Sequence, residues 1–344
     1  MKAIFLSLCV FVAASQAFGA QCDGAGPQLK EISRKLDHGD FASAARQLAP
    51  LANRSSECPL VVLAQARSQA AERDSGQAEA LFTRYITAQP DDASGYAYYA
   101  RYLLSQRQYR RADMLSSIAL EKGHSVPIAL AVNGQILFMK GQAKQGLDML
   151  EDACRRDPDD AESQFEIGSI YDRMKRPADA VKHFSKVVEL NPRDGRAFDY
   201  LALNLEPLGE ISRAGIAYMK ASTVNQPGPF HDGFIDYNYG RFLAKRGDLQ
   251  AGKTHLDRAV ELVPDVRATW YERAKLNLKM KNYQQARSDA ERAERLSDPA
   301  GIIIDLQIYT LLEQIYRRLG ETTLADKYAQ LSRNTPPPVR KQER

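Results

Sequence analysis

The stretch Gly247-Asp-Leu-Gln-Ala-Gly252-Lys253-Thr254 fits G-x-x-x-x-G-K-[ST] letter for letter. In a phosphate-binding loop, that spacing lets backbone N–H groups cradle phosphates. The lysine reaches the β- and γ-phosphates, and the hydroxyl holds Mg²⁺. Such chemistry requires a strand running into the loop. Here Tyr239–Lys245 reads as an amphipathic helix instead. No hydrophobic strand ending in Asp supplies a second metal ligand, and Gly252 falls where a helix needs a small residue. Neither G-x-S-x-G nor H-E-x-x-H occurs. The histidines at 38, 124, 183, 231 and 255 have no ligand spacing, and no C-x-x-C pair is present, so neither a metal nor a cofactor is expected. The acid pairs Asp91-Asp92 and Asp159-Asp160 suit helix N-termini rather than acid–base work.

What remains is a surface chemistry, and composition limits it. A net charge of +4 over 344 residues is too slight for a general nucleic-acid footprint. The first twenty residues stand apart. Lys2 precedes the apolar run Ala3–Ala14, and small residues follow at Ser15, Ala17, Gly19 and Ala20. That is the layout of a secretory leader, with the small-x-small rule allowing cleavage after Ala17 or Gly19. The run is too short to span a bilayer, and no other segment is apolar enough. Gln21 before Cys22 lacks the small residue that an acylated cysteine requires. The mature chain is therefore expected to be soluble and periplasmic or extracellular, with Cys22, Cys58 and Cys154 remaining; Cys154 is expected to be a small buried apolar side chain.

The elements that position these residues follow a period. Ala44, Ala78, Ala112, Gly146, Ala180 and Ala214 lie 34 residues apart, and the series resumes at Gly252, Ala286 and Ala325 after slips of four and five residues. A second small-residue series, Ala66, Ala100, Gly134, Gly168, Ala202, Gly240 and Ala274, runs twelve positions upstream of its partners. In 161–194, Ile167, Gly168 and Tyr171 share one helix face, and Ala180, Phe184 and Val187 share another. Asn191-Pro192 stops the second helix. Small residues mark where two antiparallel helices cross most closely. One hairpin cannot bury its apolar face alone, so the hairpins must stack.

These residues resemble the tetratricopeptide repeat, most clearly through Ile167, Gly168, Tyr171, Ala180, Phe184, Val187 and Pro192. Leu130, Gly134, Leu137, Gly146, Leu150, Ala153 and Pro158 repeat the pattern one unit earlier. The register gives about nine units, starting near 25, 59, 93, 127, 161, 195, 233, 267 and 306 within 21–332, and leaves a basic, Pro-rich tail at 333–344. Ile32 and Glu313 replace the small residue of the first helix in the two terminal units, as capping repeats would. The resemblance implies an all-α, right-handed superhelical solenoid with no catalytic domain. Cys22 and Cys58 flank the first hairpin and could meet in a disulfide worth roughly 3–4 kcal/mol in the chain-entropy model. The alternative is two free thiols, since the Cα atoms must come within about 7 Å.

In this family, the first helices of successive units line a concave groove. Its offsets fall on Arg67 and Arg101, then on Tyr237, Arg241 and Lys245, Tyr271, Lys275 and Lys279, and finally on Gln314 and Arg318. Tyrosine beside Arg and Lys suits an extended, acidic peptide. The family's clamp for C-terminal carboxylates is not expected, because Asp199, Leu203 and Asn238 stand across its positions and its lysine is missing. The expected function is a non-catalytic scaffold binding proteins or peptides in the cell envelope. One alternative is a pilus-biogenesis factor, since Tyr237-Asn-Tyr-Gly-Arg-Phe-Leu243 resembles a stretch of pilotin-type repeat proteins. The other is a phosphate-loop nucleotide hydrolase using Lys253.

Overall fold

A computed structural model describes residue 22 and residues 25–54, 58–71, 75–225, 231–298 and 301–336. The expected leader at 1–20 and the tail beyond 336 lie outside the described residues. Every regular element described is helical. The helices are α1 (Gly26–Asp37), α2 (Phe41–Leu48), α3 (Pro59–Ala71), α4 (Ser75–Ala88), α5 (Ala93–Ser105), α6 (Tyr109–Lys122), α7 (Pro127–Met139), α8 (Ala143–Arg156), α9 (Ala161–Arg173) and α10 (Pro177–Leu190). They continue with α11 (Gly195–Leu205), α12 (Ile211–Val224), α13 (Gly233–Arg246), α14 (Leu249–Leu262), α15 (Arg267–Lys279), α16 (Tyr283–Arg295), α17 (Asp305–Leu319) and α18 (Thr322–Asn334). A short 3₁₀ turn, Ala49–Arg54, follows α2. Odd-numbered helices are the first of each hairpin and even-numbered ones the second. The last helix runs through Asn334, past the expected start of the tail.

The chain divides into two compact units, Met1–Ala197 and Phe198–Arg344, with the division inside α11. In the first unit, the small-residue series sits at the hairpin crossings. A Cβ on Gly134 would lie 2.7 Å from the Gly146 carbonyl oxygen, and one on Gly146 would lie 2.5 Å from that of Gly134. Phe82, Tyr85 and Leu103 fill the flanks and are fully buried. Asp92 caps α5, accepting from Ser94 N at 3.1 Å and Gly95 N at 3.3 Å. The terminal hairpin is closed by a Cys22–Cys58 disulfide with a Cα–Cα distance of 5.1 Å. Cys154 is buried in an apolar setting that pushes its thiol up to about 12.

The second unit, like the first around Asp160 and Ser163, holds buried polar networks within its apolar core. Asp289 is fully buried, accepting from Arg273 Nη2 at 2.7 Å and Nε at 3.0 Å and from Asn277 Nδ2 at 2.9 Å. Asp236 bridges His231 Nε2 at 2.6 Å and His255 Nδ1 at 2.7 Å, joining the segment before α13 to α13 and α14.

Every first helix from α5 on that ends in a tight turn does so through one left-handed residue: Arg107, Gly141, Lys175, Gly209, Gly247, Lys281 and Gly320. Three of these are not glycine, with φ of 58° at Arg107, 56° at Lys175 and 64° at Lys281. Non-glycine residues rarely adopt that conformation because Cβ crowds the following carbonyl.

Candidate binding grooves

The phosphate-loop match dissolves into helix geometry. Gly247 is the left-handed C-cap of α13, at φ 92°. Gly252 lies inside α14, where a Cβ would come within 3.0 Å of both Ala244 N and Gly240 O. Lys253 Nζ pairs with Asp257 at 2.5 Å, and Thr254 Oγ1 donates to Gln250 O at 3.2 Å. Because α13 stands where the strand would be, the backbone amides form helical hydrogen bonds instead of a phosphate cradle.

In the first unit, both expected groove arginines are engaged within the chain. Arg67 Nη2 donates to Asp37 at 2.6 Å and Nη1 to Ser33 Oγ at 3.2 Å, and its guanidinium lies over the Tyr98 ring at 4.0 Å. Arg101 is bidentate to Asp160, at 3.2 and 2.7 Å. Burial alone would raise the Asp160 carboxyl, yet the Arg101 guanidinium holds it below the usual carboxylate range. Beside these pairs opens a cavity of about 700 Å³. Ala70 and Ala71, Leu104, Phe138 and Met139, and Ile170 supply its apolar wall from the ends of α3, α5, α7 and α9. Opposite, Asn191 Nδ2 donates to the Gly39 carbonyl at 3.3 Å, bringing the first hairpin against the fifth.

In the second unit, the expected stripe is only partly free. Arg241 Nη2 donates to Glu206 at 2.6 Å, and Lys245 Nζ lies 3.6 Å from the same carboxyl. Lys275 pairs with Glu272 at 2.8 Å. Tyr271 is buried, and Tyr237 is half-buried against the core, where desolvation pushes its phenol up to about 12. Asp199 is buried against Asn238, which donates at 2.8 Å; burial outweighs that bond and pushes the carboxyl up to about 7.

Lys279 and Arg318 are different. They meet around a cavity of about 580 Å³, with Lys281, Arg317, Tyr283, Gln314 and Leu278. Arg317 pairs with Glu313 at 3.1 Å, whereas Lys279, Lys281 and Arg318 have no ion-pair partner among the described residues. Sequence reasoning missed Lys281, because the register marks helix faces and this residue sits in the turn, aimed by its left-handed backbone. It also missed Glu166, which lines the first unit's cavity.

A profile of the tetratricopeptide repeat matches residues 161–194, and a second matches 29–93 and 238–300. Protein FlbA of Caulobacter vibrioides is similar, 26% identical over 226 residues that cover 64% of this chain and 37% of that protein. The chain thus spans little more than a third of that relative's length. Among solved structures, the Cut9–Hcn1 hetero-tetramer of APC/C superposes with a TM-score of 0.62 at 15% identity, covering 84% of this chain and 56% of that one. PilF of Pseudomonas aeruginosa superposes at 0.51 and 16% identity, covering 64% of this chain and 97% of that one. At such identities the likeness is one of fold. The repeat matches and the hairpin succession agree: the chain is built of tetratricopeptide repeats, matched by profile over 29–93, 161–194 and 238–300.

Proposed function

We propose that the chain is an extracytoplasmic interaction scaffold whose second unit holds an acidic segment of a partner protein. The observation that carries this reading is the cluster of Lys279, Lys281 and Arg318 around one cavity, none of them in an ion pair among the described residues. Arg241, Lys245 and Lys275 already face carboxylates of the same unit and offer less. Three convergent cations favour a carboxylate-rich ligand, and their exposure makes the attraction salt-dependent. An extracytoplasmic place is supported by the Cys22–Cys58 bond, which suits an oxidising compartment, and by the leader-like composition of the first twenty residues.

The pilotin-like stretch needs no separate function. Gly240 packs against Leu256, Phe242 against Tyr218, Asn238 bonds Asp199, and Arg241 bonds Glu206, so its residues are accounted for by packing. A nucleotide-hydrolysing role for Lys253 likewise has no geometric support. The test is titration of a fluorescent hexaglutamate peptide into the chain at low and high salt. Lys279→Glu with Arg318→Glu should abolish binding at low salt while leaving the helical content unchanged. Undiminished binding by that variant rejects the site, and Mg-ATP binding lost in Lys253→Ala would reopen the nucleotide reading.

A further inference from the structure

The helix ends of the first unit are sorted by charge. The turns that join the two helices of a hairpin, 105–113, 139–148 and 172–179, hold eight Arg or Lys and four Asp or Glu. The turns at the opposite helix ends, 88–93, 120–127, 155–162 and 189–196, hold five and nine. Antiparallel hairpins put the two sets at opposite ends of the helices, so one edge of this unit is basic and the other acidic. The three basic turns lie together. Ser105, Tyr109, Met139 and Arg173 border one cavity, and Lys140 Nζ reaches across to Asp113 at 2.7 Å.

The basic edge also carries apolar tips. Each turn sets a large apolar side chain directly before a cation: Tyr109-Arg110, Met139-Lys140 and Met174-Lys175. The apolar members are 50%, 48% and 42% exposed. The hairpin crossings beside them are already closed by Ala112, Gly146 and Ala180, so packing does not call for these side chains. Arg110, Lys144 and Lys175 are exposed and in no ion pair among the described residues.

We propose that this edge docks the chain on an anionic membrane surface, with Arg110, Lys144 and Lys175 at the phosphate headgroups and Tyr109, Met139 and Met174 dipping into the interface. Charge and polarity both select that partner. Cations on successive turns, one repeat apart, face a plane of negative charge. Lys279, Lys281 and Arg318 of the second unit differ, since they converge on one cavity. Apolar tips flanked by cations suit the boundary between headgroups and acyl chains, where the tip leaves water while its neighbour stays at the phosphates. A hydrated acidic polypeptide would meet the cations but leave the tips in water. This surface is separate from the acidic-segment site of the second unit and stands or falls without it.

The test is vesicle flotation with the chain from residue 21 onward, which holds every described helix and lacks the apolar run at 3–14. Vesicles of phosphatidylglycerol mixed equally with phosphatidylcholine should bind it about tenfold or more tightly than vesicles of phosphatidylcholine alone, and added salt should weaken that binding. Arg110→Glu with Lys144→Glu should lower the affinity by about tenfold or more. Both residues stand in the first turn of a helix, where an acid leaves the fold intact. Tyr109→Ser with Met174→Ser should weaken binding several-fold and make what remains more sensitive to salt. Equal binding to the two kinds of vesicle overturns the proposal, and so does full binding by either variant at unchanged helical content. Loss of binding through Lys279→Glu with Arg318→Glu would put the surface in the second unit and reject this edge. Free hexaglutamate should not release the chain from vesicles; release would make an acidic polypeptide the partner in place of a membrane.

Discussion

The two units carry one repeat and opposite grooves. At the end of the first helix, the first unit places Ala71, Ser105 and Met139 at equivalent stations, 34 residues apart, and only Arg173 adds a cation. The same station in the second unit holds Lys245, Lys279 and Arg318. Helix C-termini welcome cations, so the second unit follows local electrostatics, and its helices would be comfortable with these residues even without a ligand. The first unit sets an apolar wall at that station, and the cations around its cavity, Arg67 and Arg196, are already paired with Asp37 and Glu162. Packing residues at the hairpin crossings are the same kind in both units. The fold therefore constrains the crossings and leaves the groove ends free to vary, and that is where the chemistry differs.

The supports of the two units differ as well, and this can be broken directly. Removing Asp289 strands the Arg273 guanidinium and the Asn277 amide in the second unit. Asp289→Ala is expected to cost about 3–5 kcal/mol, the range for a buried pair that loses one member. Nearest-neighbour coupling confines the damage. Hydrogen exchange should accelerate in α15 and α16 and stay unchanged in α1–α4; uniform acceleration would mean that the units do not behave separately.

The first unit has the converse dependence. Cys58→Ser opens a loop with a sequence separation of 36 and is expected to cost roughly 3–4 kcal/mol in the chain-entropy model. The loss should appear as early exchange in α1 and α2. A variant with an unchanged melting curve would show that apolar burial of Leu29, Ile32 and Leu36 already holds the terminal hairpin.

The hairpins were readable in the sequence because their constraint is steric and local. Gly134 faces Gly146, and Gly240 faces Gly252, at the spacing the register demands. The disulfide was readable for a related reason, since a hairpin returns the chain to its starting side. The state of the groove cations was not readable. Arg101 finds Asp160, 59 residues away, and Arg241 finds Glu206, 35 residues away; a helix-face projection says which way a side chain points but not which acid it meets. Glu166 was hidden for another reason. It stands one residue after Phe165, off the groove offsets of its unit, so the register carried no signal for it.

That carboxyl makes a smaller, pH-dependent difference. Glu162 and Arg173 face it from α9, Arg101 from α5 and Arg196 from α11. Its folded-state pKa of about 7 lies above the ordinary 4.5, so its protonated form is the one the fold prefers. The associated stability is present below pH 4.5 and is lost as pH rises through 7. Glu166→Gln, permanently neutral, should match the wild-type chain at pH 4 and exceed it at pH 8 by up to about 2 kcal/mol, once solvent access is allowed for. Denaturant midpoints at the two pH values measure this. A constant difference between variant and wild type would place the shift outside the carboxyl.

The smallest effect distinguishes strain that serves a site from strain that does not. Arg107 in the first unit and Lys281 in the second adopt the same left-handed turn, at φ 58° and 64°. Glycine relieves the Cβ clash but adds backbone freedom to the unfolded chain, so either replacement should stabilise by no more than about 1 kcal/mol. Their functional consequences should diverge. Arg107→Gly should leave hexaglutamate binding untouched, because Arg107 lines neither groove cavity. Lys281→Gly should lower that affinity several-fold while raising the unfolding midpoint, the opposition of stability and function expected where a strained backbone aims a ligand-binding side chain. If Lys281→Gly keeps full affinity, the acidic ligand is held by Lys279 and Arg318 alone, and the two turns are equivalent after all.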